Sequence, residues 1–147
     1  MTTDEARAAT DRICAFFETL SPQSLAQIAA LYTPDARFKD PFNAVRGVPA
    51  ITGIFEHMFS SLHEPRFVVT QRIVDGPQVF LVWEFRFRFK RFDTVTAQVV
   101  RGGSHLVLAA DGRIADHRDY WDAAEELYEK LPGVGAVMRW LKRRANT

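Results

Sequence analysis

The stretch HRDYWDA, His117 to Ala123, sets a histidine, an arginine and two aspartates among aromatic residues. A carboxylate taken out of water is costly unless it is paired or used. Along a strand, residues two apart share a face. His117, Asp119 and Trp121 therefore go together, and Arg118 and Tyr120 take the opposite side. Earlier, RFKDPF (Arg37–Phe42) puts Phe38 and Asp40 on one face of a short strand in the same way. If Asp40 and Asp119 look into one apolar cavity, one acid can keep its proton while the other stays ionised. That is the division of labour a general acid and a general base require. His117 is a third candidate for moving a proton. Plainer roles compete with these. Asp40, just before Pro41, can bond turn amides, and Asp119 can pair with Arg37, Arg113 or Arg118.

Other chemistries find little footing. HEP (His63–Pro65) and HRD (His117–Asp119) are too short to define a metal site, and no Cys/His metal spacing occurs. The chain has no G-x-S-x-G and no phosphate-cradling loop. RGGS (Arg101–Ser104) has no helix after it and reads as a bulge or bend in a strand. No cofactor and no metal are expected.

The elements that must position these residues fit one domain, 1–147. Hydrophobic residues make up 47% of the chain, enough for a sizeable core, and twelve phenylalanines can line a cavity as easily as fill one. A net charge of +1 does not indicate a nucleic-acid surface. The lone Cys14 can form no disulfide within the chain and suits a reducing compartment. No run approaches the ~20 apolar residues of a membrane span, and the polar start MTTDEARAATDR is unlike a secretory signal. A cytoplasmic protein is expected, with neither a membrane nor nucleic acid as partner.

Thr2 and Glu5 have the spacing of a capping box, and Ala6, Ala9, Ile13, Phe16, Phe17 and Leu20 follow with helical period. Ser21-Pro22 starts a second helix, TPDA (Thr33–Ala36) reads as a turn, and a third helix carries Ile51, Ile54, Phe55, Met58 and Leu62 inward. From Arg66 the period becomes two. Strands are expected over 66–75, 78–91, 95–108 and 113–121, joined by the hairpin-type connections DGPQ, FDT and AADG, so the sheet is expected to be antiparallel. In VFLVWEFRFRFK, Leu81, Trp83, Phe85, Phe87 and Phe89 form an apolar face, and Glu84, Arg86, Arg88 and Lys90 a wet one. Asp122 caps a last helical region that LPGVG (Leu131–Gly135) breaks before the basic end RWLKRR. Helices followed by a long antiparallel sheet make an α+β domain with a C-terminal helical extension. A twisted sheet curled round its helices leaves a conical space walled by the Phe-rich face.

This order of elements resembles the nuclear-transport-factor-2-like superfamily, which includes ketosteroid isomerase, SnoaL-like polyketide cyclases and limonene epoxide hydrolase. The local carriers are ALYTPDARFKDPF (Ala30–Phe42), SHLVLAADGRI (Ser104–Ile114) and HRDYWD (His117–Asp122). The resemblance implies a homodimer formed through the β-sheet. It puts Asp40 at the place of the isomerase's general base, Phe16 at that of its oxyanion-holding tyrosine, and Ser104 at that of its second, carboxylic acid donor. Phenylalanine donates nothing and serine is a weaker donor, which argues against steroid isomerisation by that mechanism. HRDYWD is similar to the hydrolase motif around the acid that protonates the epoxide oxygen, which points to Asp119. The Arg and Asp that position that enzyme's water fall near Phe85 and Phe87, so the water-activating set is incomplete.

The expected pocket is lined by Phe16, Phe38, Trp83, Phe85, Phe87, Leu106 and Trp121, with Ser104 beside it, and holds Asp40, Asp119 and His117. Its ligand would be a small hydrophobic molecule. Cofactor-free isomerisation, cyclisation, dehydration and epoxide opening all fit such a site. The alternative is a non-catalytic module that binds a hydrophobic ligand or fills its interior with phenylalanine, and meets a partner through Glu84, Arg86 and Arg88.

Overall fold

The computed structural model describes residues 1–91, 93–126 and 134–145. Helix α1 (Thr3–Glu18) begins at the expected capping box. The Thr2 hydroxyl accepts the Glu5 N–H at 3.1 Å, and the Glu5 carboxylate accepts the Thr2 N–H at 2.8 Å. Its periodic face, including Ala9, Ile13, Phe16 and Phe17, is buried. Where the sequence predicts one second helix there is a 3-10 turn (Gln23–Gln27) and a single turn of α2 (Ile28–Leu31), anchored by Leu25 and Ile28.

Strand β1 (Tyr32–Lys39) follows at once. The turn expected at Thr33–Ala36 is instead a slip within β1, whose pairing shifts register between Tyr32 and Arg37. Pro34, with no N–H to give a ladder, falls in that slip. Strand β2 (Ala44–Arg46) runs antiparallel to β1 and ends at Gly47, whose φ of 96° turns the chain into α3 (Val48–Ser61).

Strands β3 (Leu62–Asp75), β4 (Gln78–Phe89), β5 (Gln98–Leu108) and β6 (Ile114–Tyr120) form the antiparallel meander that the alternation predicts. Gly76 and Pro77 close the first hairpin between the paired Asp75 and Gln78. The strand order is β2-β1-β6-β5-β4-β3. Strand β1 joins β6 in parallel, so the sheet is mixed rather than wholly antiparallel. A parallel neighbour cannot be reached by a hairpin. Here everything from β2 to β5 is the connection, and no local signal announces it.

Helix α3 packs against both β1 and β3, which lie towards opposite ends of the strand order, while α1 covers β3. The sheet therefore curls round its helices into an open α+β cone. The RGGS stretch is no bulge, since β4 and β5 pair without a slip from Gln78↔Val107 to Phe87↔Gln98. Its glycines serve close approach instead. A Cβ on Gly102 would lie 2.6 Å from the Trp83 ring on the inner face, and one on Gly103 would lie 2.5 Å from the Phe80 ring on the outer face.

Asp122 caps α4 (Ala123–Glu126), its Oδ1 accepting the N–H groups of Ala124 and Glu125 at 3.0 and 3.1 Å. Helix α5 (Val134–Ala145) is the C-terminal extension; the break expected at Leu131–Gly135 falls largely outside the described residues. No helix of the described residues is long and apolar enough to cross a membrane.

Candidate functional site

Parity sends His117 and Asp119 to the concave face of β6, and the neighbouring strands supply their partners. In the sheet register Ser104 of β5 stands opposite Asp119, and Phe38 of β1 stands beside His117. The Ser104 hydroxyl donates to Asp119 Oδ1 at 2.5 Å, and the Trp83 indole N–H donates to Ser104 Oγ at 2.9 Å. His117 Nε2 lies 2.6 Å from the same Oδ1, and His117 Nδ1 lies 2.6 Å from the Tyr32 hydroxyl.

Tyr32 is fully buried, and burial, followed by the charge of Asp119, holds its hydroxyl well above the ordinary tyrosine range. Tyr32 therefore keeps its proton and is able to donate it to Nδ1. With that donation the ring N–H lies on Nε2, facing the Asp119 carboxyl group. Every donor then points towards one atom: Tyr32 to His117 to Asp119 from one side, Trp83 to Ser104 to Asp119 from the other. Asp119 Oδ2 receives no hydrogen bond from a described residue. One oxygen is fixed and the other is left open, which is the arrangement a proton-transferring carboxylate needs. Both ring nitrogens of His117 are engaged by protein groups, Tyr32 on one side and Asp119 on the other. Ser104 likewise spends its one hydroxyl proton on Asp119 and has none for an oxyanion.

Asp119 stands between two spaces. Inward lies a void of about 20 Å³ bounded by Phe17, Phe55, Phe67, Val69, Leu81, Trp83, Ser104 and His117, room for one water molecule. Outward lies an open groove of about 500 Å³ formed by Lys39, Asp40, Pro41 and the run Arg118–Asp122. Of the expected pocket wall, Trp83 bounds the void and Trp121 the groove. Phe38 packs on the His117 ring at 4.6 Å between centroids. Phe16 turns into the core and meets Phe17 edge-on; of the α1 phenylalanines it is Phe17 that reaches His117. Phe85 and Phe87 stack along β4 with Phe67 and Phe89, and Leu106 is wholly buried core. The Phe-rich wall mostly fills its own hollow.

Asp40 does not face the void. It lies just past the end of β1 and ties the turn into β2. Its Oδ1 accepts the backbone N–H groups of Phe42 at 2.8 Å and Asn43 at 2.6 Å, and the Asn43 amide reaches both oxygens. The two acids meet only at the groove, and only Asp119 has an uncommitted oxygen. The arginine partners expected for Asp119 are also elsewhere. Arg113 pairs with Asp111, and Arg37 and Arg118 lie on the outer face.

Sequence reasoning missed Tyr32, which reads as one more apolar helix position at the end of ALYT. A tyrosine at the start of the strand that carries Phe38, paired in parallel with the strand of His117, was the signal; it needed the β1–β6 pairing to be readable. Among the described residues there is no cluster of three or more His, Cys, Asp or Glu that could hold a metal ion.

Residues 13–117 match the SnoaL-like domain family, and the chain belongs to that family, within the nuclear-transport-factor-2-like superfamily. The match ends at His117, so membership says nothing of Asp119. Solved structures share the fold. A Catenulispora acidiphila hypothetical protein with a ketosteroid isomerase-like fold, in complex with trimethylamine, is 19% identical over 86% of this chain and 92% of its own, with a TM-score of 0.67. A Burkholderia pseudomallei NTF2-like protein of unknown function is 16% identical over 85% and 95%, with a TM-score of 0.70. An M. tuberculosis LEH-like epoxide hydrolase is 18% identical over 92% and 96%, with a TM-score of 0.68. No curated protein sequence matches the chain.

Proposed function

We propose that the protein binds a small, mainly apolar molecule in the groove beside Asp119 and moves a proton on it without a cofactor. Asp119 is the catalytic acid or base, while His117, Tyr32, Ser104 and Trp83 hold it in place. The observation that carries this reading is the convergence of two hydrogen-bonded arms on Oδ1, while no described residue bonds Oδ2. Asp40, by contrast, has both oxygens engaged in its turn. Isomerisation, cyclisation, dehydration and epoxide opening all begin or end with such a transfer.

Native mass spectrometry of the purified protein identifies any retained small molecule. Incubating that molecule in D₂O with wild type and with Asp119→Asn then reads proton transfer directly as deuterium uptake or turnover. Loss of a positioned acid or base costs about 10²–10⁴-fold, and equal rates in the two proteins would sink the catalytic reading. One observation favours a second reading: the inner void is about 20 Å³, far below the ~300 Å³ at which ligand pockets begin. In that reading the phenylalanines are simply core and the protein is a non-catalytic module. Failure to retain or bind any small molecule would support it.

A further inference from the structure

Four cations share one patch of the outer sheet face, and the sheet register sets them against one another. Arg37 of β1 is the direct cross-strand partner of Arg46 of β2, and Lys39 of β1 is the partner of Arg118 of β6. Like charges placed directly opposite one another destabilise a sheet. Most other arginines of this sheet have acids: Arg72 with Asp11, Arg86 with Glu84, Arg88 with Glu64 and Arg101 with Glu126; Arg66 of β3 stands opposite Arg86, whose charge Glu84 offsets. Among the described residues none of these four cations is in an ion pair, although Asp116 stands opposite Arg37 in the register. Cations on an edge strand guard against unwanted pairing, which accounts for Arg46. It does not account for Arg37, Lys39 and Arg118, which sit on the interior strands β1 and β6. Arg118 is also steered, its guanidinium lying 4.9 Å from the centre of the Tyr120 ring.

The four line an open groove of about 630 Å³. Lys39 and Arg118 line this groove and also the one that contains Asp119. The two surfaces therefore run together past the ends of β1 and β6. Local rules broken without internal compensation tend to mark functional surfaces, and an anion between paired cations turns the repulsion into charge-assisted hydrogen bonds. We propose that the ligand of this protein is amphiphilic and carries a carboxylate or phosphate group. That group is held by Arg37, Lys39, Arg46 and Arg118, while the apolar part lies along Trp121 beside Asp119. The assignment rests on the reading of the Asp119 groove as a ligand site, and it narrows the class of ligand that site takes.

The test titrates the full chain with octanoate, octyl phosphate and 1-octanol at low salt, following the Trp121 indole and the β1 and β6 amides by NMR. The expected result is that one or both anionic probes bind at least about tenfold more tightly than octanol. That advantage shrinks in high salt, as charge recognition requires. The stronger of the two anions identifies the group. Lys39→Gln/Arg118→Gln and Arg37→Gln/Arg46→Gln each lose most of the advantage, with octanol binding unchanged and a melting temperature equal to or above that of wild type. Octanol binding as well as the anions, variants that keep the full advantage, no binding of any probe, or binding of poly-glutamate alone would each overturn the proposal. Asp119→Asn separates the two claims. Anion binding should survive it, so catalysis that persists in Asp119→Asn would remove the proposed function while leaving this inference standing.

Discussion

Asp119 and Tyr32 occupy opposite ends of one arm of the hydrogen-bonded chain, and Tyr32 makes a claim that needs no ligand. Its hydroxyl is the donor that satisfies His117 Nδ1 in a fully buried place. Tyr32→Phe keeps the ring and removes that donor, so the expected loss is about 1–3 kcal/mol of stability, the cost of an unpartnered buried polar group. The hydroxyl also links folding to pH. Its folded pKa lies above the ordinary tyrosine value of 10.0. The folded state therefore holds this proton more tightly than the unfolded chain, and its contribution to stability is fully present below pH 10. Above that value the unfolded chain releases the proton first, and stability falls as pH rises. Urea unfolding from pH 8 to 11 should show wild type losing stability above about pH 10, and Tyr32→Phe should lose less over the same range. A wild-type curve no steeper than that of Tyr32→Phe would mean the hydroxyl is not held protonated by the fold.

Strand β5 shows how an element can serve the site without contributing a reacting group. Gly102 leaves room for the Trp83 ring to come close to the strand, and Trp83 in turn bonds Ser104. Gly102→Ala would push a methyl group against the indole, with the Trp121 Cβ only 3.0 Å away on another side. Overpacking of this kind costs about 1–3 kcal/mol, and the displaced indole should lose its bond to Ser104. A lowered melting temperature together with an upfield shift of the Trp83 indole N–H would report both effects; an unchanged indole resonance would show that Gly102 is not what seats Trp83. The same element marks the limit of what the sequence makes legible. Alternation from Val79 to Phe89 assigns the inner and outer faces of β4 correctly, because a period of two is local information. The role of the glycines is not local: it depends on ring positions across two strands, and RGGS looks the same whether it bends a strand or admits a tryptophan. His117 and Asp119 are legible as a pair by parity. Their partners are not, because Tyr32 reaches His117 only through the parallel β1–β6 pairing. Asp40 misleads for a similar reason, since strand parity is extended one residue past the point where the strand stops and a turn takes the carboxylate.

At the scale of the whole molecule, the outer sheet face divides into two regions of different character. The cations of β2, β1 and β6 occupy one side. On the other, Ile73 of β3 is 58% exposed, and Phe80 and Val82 of β4 are only half covered, with the Phe80 ring close to Gly103. Ile73 and Phe80 are direct cross-strand partners, as are Val82 and Gly103, so these side chains form one continuous apolar strip. An apolar strip rimmed by charge, here Glu84, Arg86 and Arg101, is the pattern of a protein interface. It supports the proposal that two chains pair through this part of the sheet while the cationic region stays open to ligand. A two-fold dimer buries each such residue twice, so a single charge should act strongly. Ile73→Asp is expected to shift the protein from the mass of two chains to that of one in sedimentation equilibrium at micromolar concentration, with the far-UV circular dichroism unchanged. The anion titration should be unaffected by the same substitution, because the two regions do not overlap. If wild type sediments as a single chain at all concentrations, the strip is not a self-interface and the sheets do not pair, while the hydrogen-bonded chain around Asp119, which lies wholly within one chain, is unaffected.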